Sequence, residues 1–397
     1  MSASPAPLSS FAPVGADMLR ARARAIAPAI GARWDEAEAL RDIPAASIAA
    51  LREAGLTRLF QPQRWGGHEA DPTTFFDVQN IVAAQCASTA WVLGVLNVQS
   101  LVLALFDDRA QAAVWGQDPA ALVSSSFMPV GKVAAAAGGY TLSGRWSFSS
   151  GASHAGWALL GGRTPHPDTG AAELRIFLVP RGDYAILDVW NPFGMRATGS
   201  NDIVANGIFV PEWRTRTLDP GLLNVLKIHR PGPALYRLPW LYLFSAGIAN
   251  FAIGTARGAL DAFLDRAASR VSAWSGQVSR EDPATVAAAA RLDAEIDLVE
   301  ASFRRNVAIL QDHVARDVVI GQGEAMRLRV QLTSSVRRLA ALVDDFMMLL
   351  GARGIDRSSP VTRAWLDLCA ARAHPGNDPA ASLAGSGAAM IGCRGQA

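Results

Sequence analysis

Residues 138–157 read Gly138-Gly-Tyr-Thr-Leu-Ser-Gly-Arg-Trp-Ser-Phe-Ser-Ser-Gly-Ala-Ser-His-Ala-Gly-Trp157. From Tyr140 to Phe148 the side chains alternate in the manner of a strand with one buried face. Gly138-Gly139 supplies the turn before it. Similar runs follow: Trp157-Ala-Leu-Leu-Gly161, Leu174-Arg-Ile-Phe-Leu-Val179 and Ile203-Val204 with Ile208-Phe-Val210, bounded by turn residues at 165–170 and 181–183. Several short strands between about 122 and 212 predict a small β-barrel or sandwich.

On both sides of this segment the period becomes helical. Residues 14–115 read as successive helices. One covers Met18 to Trp34, a second is opened by Pro44 and closed by Gly55, a third starts at Asp71-Pro72, and a fourth is preceded by Ser88 or Thr89. After a linker rich in proline (Pro220, Pro231, Pro233, Pro239), helical stretches at 242–272, 284–317, 323–350 and 360–373 predict a four-helix bundle. The fold class expected is α+β, in three domains: helical over 1–118, β over 119–220 and a helical bundle over 221–397.

Composition narrows the function. The 397 residues carry a net charge of +2, with 37 basic and 35 acidic residues mixed along the chain, so no nucleic-acid or membrane footprint is expected. No window reaches the length of a membrane span. Cys86, Cys369 and Cys393 form no pair motif, and no signal peptide opens the chain, which points to the reducing cytoplasm. The six histidines lack metal-ligand spacing, so no metal is expected. Dinucleotide and phosphate-loop motifs are absent too.

Two serine patches remain, Val123-Ser-Ser-Ser-Phe127 and Trp146-Ser-Phe-Ser-Ser-Gly151. Hydroxyls that donate and accept suit the alternating N and O atoms of an isoalloxazine edge. A solvated strand edge explains them about as well.

The run 138–157 is similar to the flavin-binding strand of the acyl-CoA dehydrogenase superfamily. Gly194-Met-Arg-Ala-Thr-Gly-Ser-Asn-Asp-Ile203 with Phe209-Val-Pro-Glu-Trp-Arg214 resembles the end of the same β domain, and Ile43-Pro44 through Gly66-Gly67 the family's opening. Leu350-Gly-Ala-Arg-Gly-Ile355 and Pro360-Val-Thr-Arg-Ala-Trp-Leu-Asp367 resemble its last bundle helix and the preceding turn. The form SGRW-x-FSSG-xx-H and the run Arg372-Ala-His374-Pro-Gly-Asn-Asp-Pro379 resemble the two-component flavin monooxygenase branch, which includes 4-hydroxyphenylacetate and secosteroid-phenol hydroxylases. Dehydrogenases of the superfamily carry a glutamate base; no glutamate follows His374.

The resemblance implies an oxygenase component that takes reduced FAD or FMN from a separate NAD(P)H:flavin reductase. With O₂ it would form a C4a-hydroperoxyflavin and hydroxylate an aromatic or heteroaromatic substrate. Alternatives on the scaffold are N- or S-oxygenation, or an acyl-CoA dehydrogenase-type reaction. It implies roles as well. His374 would be the acid or base, titrating near its ordinary pKa, or else a helix-end cap. Asn377 would orient it or shape the turn. Ser149 or Ser150 would lie near flavin N5, backed by Trp146, Ser147 and Phe148. Ser124 and Ser126 would line the pyrimidine or substrate side.

Arg270 would meet a flavin phosphate or stay solvated. Gly351 and Gly354 would let a neighbouring subunit approach the cofactor in a homotetramer. Trp91, Phe127, Trp240 and Phe244 would form an aromatic substrate wall. Gln99 stands where the family often has histidine, so either substrate contact there differs from the phenol hydroxylases or the site lies elsewhere. His154 is expected outside the pocket, paired to a backbone group.

Overall fold

The computed structural model describes residues 14–392 except 167, 219–231, 272–275 and 277, so Pro220 and Pro231 of the expected linker lie outside the described residues. The chain begins with α1 (Ala16–Gly31), α2 (Trp34–Leu40), α3 (Ala45–Glu53), α4 (Pro72–Ala83), α5 (Ala87–Leu103) and α6 (Asp108–Trp115). Asp71 caps α4 by accepting from the Thr73 N–H, with Pro72 in the first turn. α5 is buried on every face, as a helix without a polar stripe must be. It starts one residue after Cys86, so Ser88 and Thr89 lie inside it rather than ahead of it.

Seven strands follow: β1 (Val123–Ala136), β2 (Gly139–Ser149), β3 (Trp157–Pro165), β4 (Ala172–Pro180), β5 (Ala185–Leu187), β6 (Asn201–Pro211) and β7 (Thr215–Leu218), in the spatial order β5-β6-β2-β1-β3-β4-β7. β1 belongs to two halves. Val123–Ser126 run parallel to β3, and Lys132–Ala136 pair antiparallel with β2. The register shifts between Ser126 and Gly131. Such an irregularity bends a strand and lets both halves close over one core. Leu142 and Trp146 of β2, Leu160 of β3, Phe177 and Val179 of β4 and Ile203 of β6 fill that core.

The rest is helical: α7 (Trp240–Gly247), α8 (Phe251–Ser269), α9 (Pro283–Ala315), α10 (Gln322–Leu349), α11 (Pro360–Ala371) and α12 (Ala380–Gly392). α8 to α11 pack together as the expected bundle. The single helix expected over 242–272 is two helices. Gln79 Nε2 donates to the Gly247 carbonyl, and the Asn250 amide donates to the Phe76 carbonyl and to Gln79 Oε1. Side chains of α4 thus satisfy the backbone and the break, and the helix stops where it would otherwise continue. Among the described residues, no helix is long and apolar enough to cross a membrane.

Candidate active site

The alternation of β2 fails at its end. Pairing with β6 shifts between Trp146 and Ser149, and Phe148 takes a left-handed conformation, φ 66°. Trp146 and Phe148, which alternation puts on one face, are thereby separated. The Trp146 indole is fully buried in the β core and donates to the Gly161 carbonyl. It therefore cannot back an external ring, contrary to expectation. Phe148 is 59% exposed and meets Trp190 at 6.1 Å. Ser149 Oγ is buried with no hydrogen-bond partner among the described residues.

Ser150 Oγ is tied from two sides. The Trp91 indole N–H of α5 donates to it at 3.1 Å, and it shares a 2.8 Å hydrogen bond with Ser200 Oγ. Thr198 Oγ1 is 2.6 Å from Ser200 Oγ and donates to the Met195 carbonyl. Gly151, φ 68°, turns the chain away, and its N–H donates to the Thr198 carbonyl. A Cβ there would press on Val92 of α5 as well as strain the turn. The hydroxyls of Thr198 and Ser200 were missed as site residues. Their signal is the Thr198-Gly-Ser200 run, within the stretch that resembles the end of the β domain.

His374 closes this chain of contacts. It follows α11 and opens the turn Pro375–Asn377, where its Nδ1 accepts the Gly376 N–H at 2.9 Å. Its ring stands edge-on to Trp91, with centroids 5.4 Å apart. An accepting Nδ1 assigns the proton of the neutral ring to Nε2. Burial pushes the pKa from 6.5 down to about 4, since charging a ring away from water is costly. The ring is therefore neutral at pH 7. One nitrogen is engaged and the other protonated, so His374 offers an N–H donor and not a base titrating near neutrality. Nor does it cap a helix C-terminus; it caps the turn that follows.

Asn377 does not hold the His374 ring. Its side-chain amide donates to the Ile248 and Ala371 carbonyls, pinning the turn to the break between α7 and α8. Ser124 donates to the Trp157 carbonyl at 3.4 Å, Ser126 to the carbonyl of Ser147 at 2.8 Å. These two hydroxyls bind β1 to its neighbours, and Ser147 takes part through its backbone.

Phe127 packs against Trp240 at 5.9 Å and Phe244 at 5.6 Å, an aromatic wall between β1 and α7. Gln99 is fully buried, and neither atom of its amide has a partner among the described residues. Arg270 donates to the Leu349 carbonyl and lies beside Gly351, which has φ 63°. Gly354 is helical instead, packed so closely on the Met347 carbonyl that any Cβ would collide with it. His154 pairs with the Asp42 carboxylate at 3.1 Å rather than with a backbone group.

The family described as "Acyl-CoA dehydrogenase, C-terminal domain" matches residues 246–379. The chain is 36% identical over 364 residues to the flavin-dependent monooxygenase oxygenase subunit HsaA of Rhodococcus jostii, covering 90% of this chain and 94% of that protein. The chain belongs to the flavin-dependent monooxygenase oxygenase subunits of the acyl-CoA dehydrogenase superfamily. It is 32% identical to the FADH₂-dependent resorcinol hydroxylase oxygenase component of a Rhizobium species, over 90% of this chain and 88% of that one. The crystal structure of 3-HSA hydroxylase from Rhodococcus superposes with a TM-score of 0.88 at 34% identity, covering 95% of this chain and 98% of the other. XiaF from Streptomyces, solved with FADH₂, gives 0.88 at 27% identity, over 95% of this chain and 96% of the other. As a member of this family the protein is an oxygenase component that works with reduced flavin and O₂.

Proposed function

We propose that the protein hydroxylates an aromatic or heteroaromatic ring, with reduced flavin delivered by a separate NAD(P)H:flavin reductase. The observation that carries the reading is one buried hydroxyl without a partner, Ser149 Oγ, next to the run Ser150–Trp91–His374. A buried polar atom needs a partner, and at this position an isoalloxazine edge has the acceptors and donors to supply one. FAD and FMN fit it equally. When bound, the reduced flavin supplies the two electrons that activate O₂.

The chain's own residues do the rest. Ser149 holds the ring edge. Phe148 and Trp190 cover it from the outside, excluding water that would favour loss of H₂O₂. His374 donates its Nε2–H to an oxygen of the substrate or of the reacting group. Trp91, Phe127, Trp240 and Phe244 form the aromatic wall. The amide of Gln99 and the indole N–H of Trp240, both without a partner among the described residues, supply neutral hydrogen bonds, which suits a phenol or carbonyl substituent. Arg270 and Gly351 serve the phosphate end of a flavin shared with a neighbouring subunit.

A homotetramer is proposed from the apolar side chains left exposed on the bundle: Leu264, Val286, Leu298, Met348 and Ile355. The units proposed are 1–118, 119–220 and 221–397. The free thiols Cys86 and Cys369 agree with a cytoplasmic location.

Anaerobic titration tests the receiving role: reduced flavin binds more tightly than oxidised flavin. Equal affinity for the two forms would count against it.

A further inference from the structure

We propose that Asp367 is a positioning residue for the flavin-side serines, holding them through the backbone of Met195. The inference rests on the oxygenase reading above and assigns a role to a residue outside the site. Asp367 lies on α11 with 5% of its surface exposed. Its Oδ1 accepts the Met195 N–H at 2.5 Å. Met195 stands in the left-handed region, φ 56°, a conformation that costs a non-glycine residue about 1–3 kcal/mol and persists where neighbours over-determine it. The neighbour is α11. Gly194 packs against it so closely that a Cβ would collide with the Leu366 carbonyl.

The backbone of Met195 is a node with two arms. Its carbonyl accepts from the Trp190 indole N–H at 3.0 Å and from Thr198 Oγ1 at 2.9 Å. The first arm continues from the Trp190 ring to Phe148. The second continues through Thr198 and Ser200 to Ser150. Both chain neighbours of Ser149 are therefore anchored at Met195, and Met195 is anchored at Asp367. The circuit then closes, because Ser150 meets Trp91, Trp91 meets His374, and His374 follows the helix that carries Asp367.

No cation pairs with Asp367 among the described residues. Glu38 of α2 and Cys86, ahead of α5, are the titratable groups that face it. Arg196 is engaged by Glu38, Asn191 and the Pro192 carbonyl. A buried carboxyl without a counter-ion is costly, and its pKa is pushed up to about 7 by burial. An apolar residue would fill the position more cheaply, so the hydrogen bond to Met195 is what the carboxyl supplies.

The test uses full-length protein loaded with photoreduced FAD, mixed with O₂ in the absence of substrate, following release of H₂O₂ as FADH₂ and O₂ become FAD and H₂O₂. In Asp367→Leu, which cannot accept the Met195 N–H, release accelerates about 5- to 30-fold, the equivalent of one hydrogen bond of about 1–2 kcal/mol. Asp367→Asn keeps an acceptor oxygen and stays within about 3-fold of wild type. A folded Asp367→Leu protein with the wild-type rate overturns the proposal, as does an Asn variant as fast as the Leu variant.

If Asp367→Leu does not fold, the double variant Trp190→Phe, Thr198→Val cuts both arms beyond Met195. It accelerates release likewise, and wild-type behaviour there overturns the proposal. Wild-type release as fast as from free FADH₂ overturns the oxygenase reading together with this one. Slow release in wild type and variants alike overturns this one only.

Discussion

Replacing His374 by alanine removes one N–H donor and the edge contact on Trp91, and leaves the Trp91–Ser150 hydrogen bond available. With the wild-type ring neutral, the loss equals one hydrogen bond to a group that becomes charged, about 1.5–3 kcal/mol. At about 1.4 kcal/mol per factor of ten, single-turnover product formation slows about 10- to 150-fold, while reduced-flavin affinity holds. The pH dependence separates this from base catalysis. The proton leaves His374 at about 4 in the folded protein against an ordinary 6.5. The His374 ring therefore adds no titration to the rate between pH 6 and 8.5, and the variant keeps the pH profile of the wild type.

Stability carries the same signature. The folded pKa is depressed below the unfolded one, and between about 4 and 6.5 the unfolded chain binds the extra proton. Stability from the neutral ring is complete above pH 6.5 and is lost as pH falls towards 4, by up to about 3 kcal/mol at about 1.36 kcal/mol per pKa unit. Denaturant unfolding of wild type and His374→Phe across this range reads the difference. A wild-type rate that titrates near 6.5 and loses that dependence in the variant would refute the donor assignment. An unchanged hydroxylation rate in His374→Ala would leave His374 as a cap of the Pro375–Asn377 turn.

Two further predictions follow from single contacts. Ser149→Ala removes a buried hydroxyl that has no partner among the described residues, so H₂O₂ formed per product rises about 5- to 30-fold with little change in flavin affinity; unchanged coupling would place the ring elsewhere. Gly194→Ala puts a methyl against the Leu366 carbonyl, and overpacking of this kind costs about 1–3 kcal/mol. Thermal unfolding and the rate of H₂O₂ release both respond, and a neutral outcome would show that the 191–200 segment can yield.

The fold was legible where local period decides it. The alternation of Tyr140 to Phe148 marked β2, and the long helical stretches after residue 280 became α9 to α11. It was not legible where distant groups decide. The break between α7 and α8 is made by Gln79 and Asn250, which lie 171 residues apart in the chain. α12 is built largely of alanine and glycine and carries little apolar pattern to read. The site shows the same division. Alternation placed Trp146 and Phe148 together, but a bulge with one left-handed residue sends the first into the core and the second to the surface. Asp367 reads from sequence as an ordinary polar position of a helix. Its partner is a backbone N–H 172 residues away, and nothing in the local sequence announces it. His374 was found by its motif, yet its protonation state depends on burial and on the Gly376 N–H, which only the folded turn supplies.

The proposed activity inserts one oxygen atom of O₂ into an aromatic ring at the expense of reduced flavin. Supplying the protein with a separate NAD(P)H:flavin reductase, FAD and a panel of phenols and indoles under ¹⁸O₂ tests it directly by mass spectrometry. The expected result is a hydroxylated product carrying one ¹⁸O atom, formed only with oxygenase and reduced flavin together. A product whose new oxygen comes from water, or a desaturated product with no oxygen added, would contradict it.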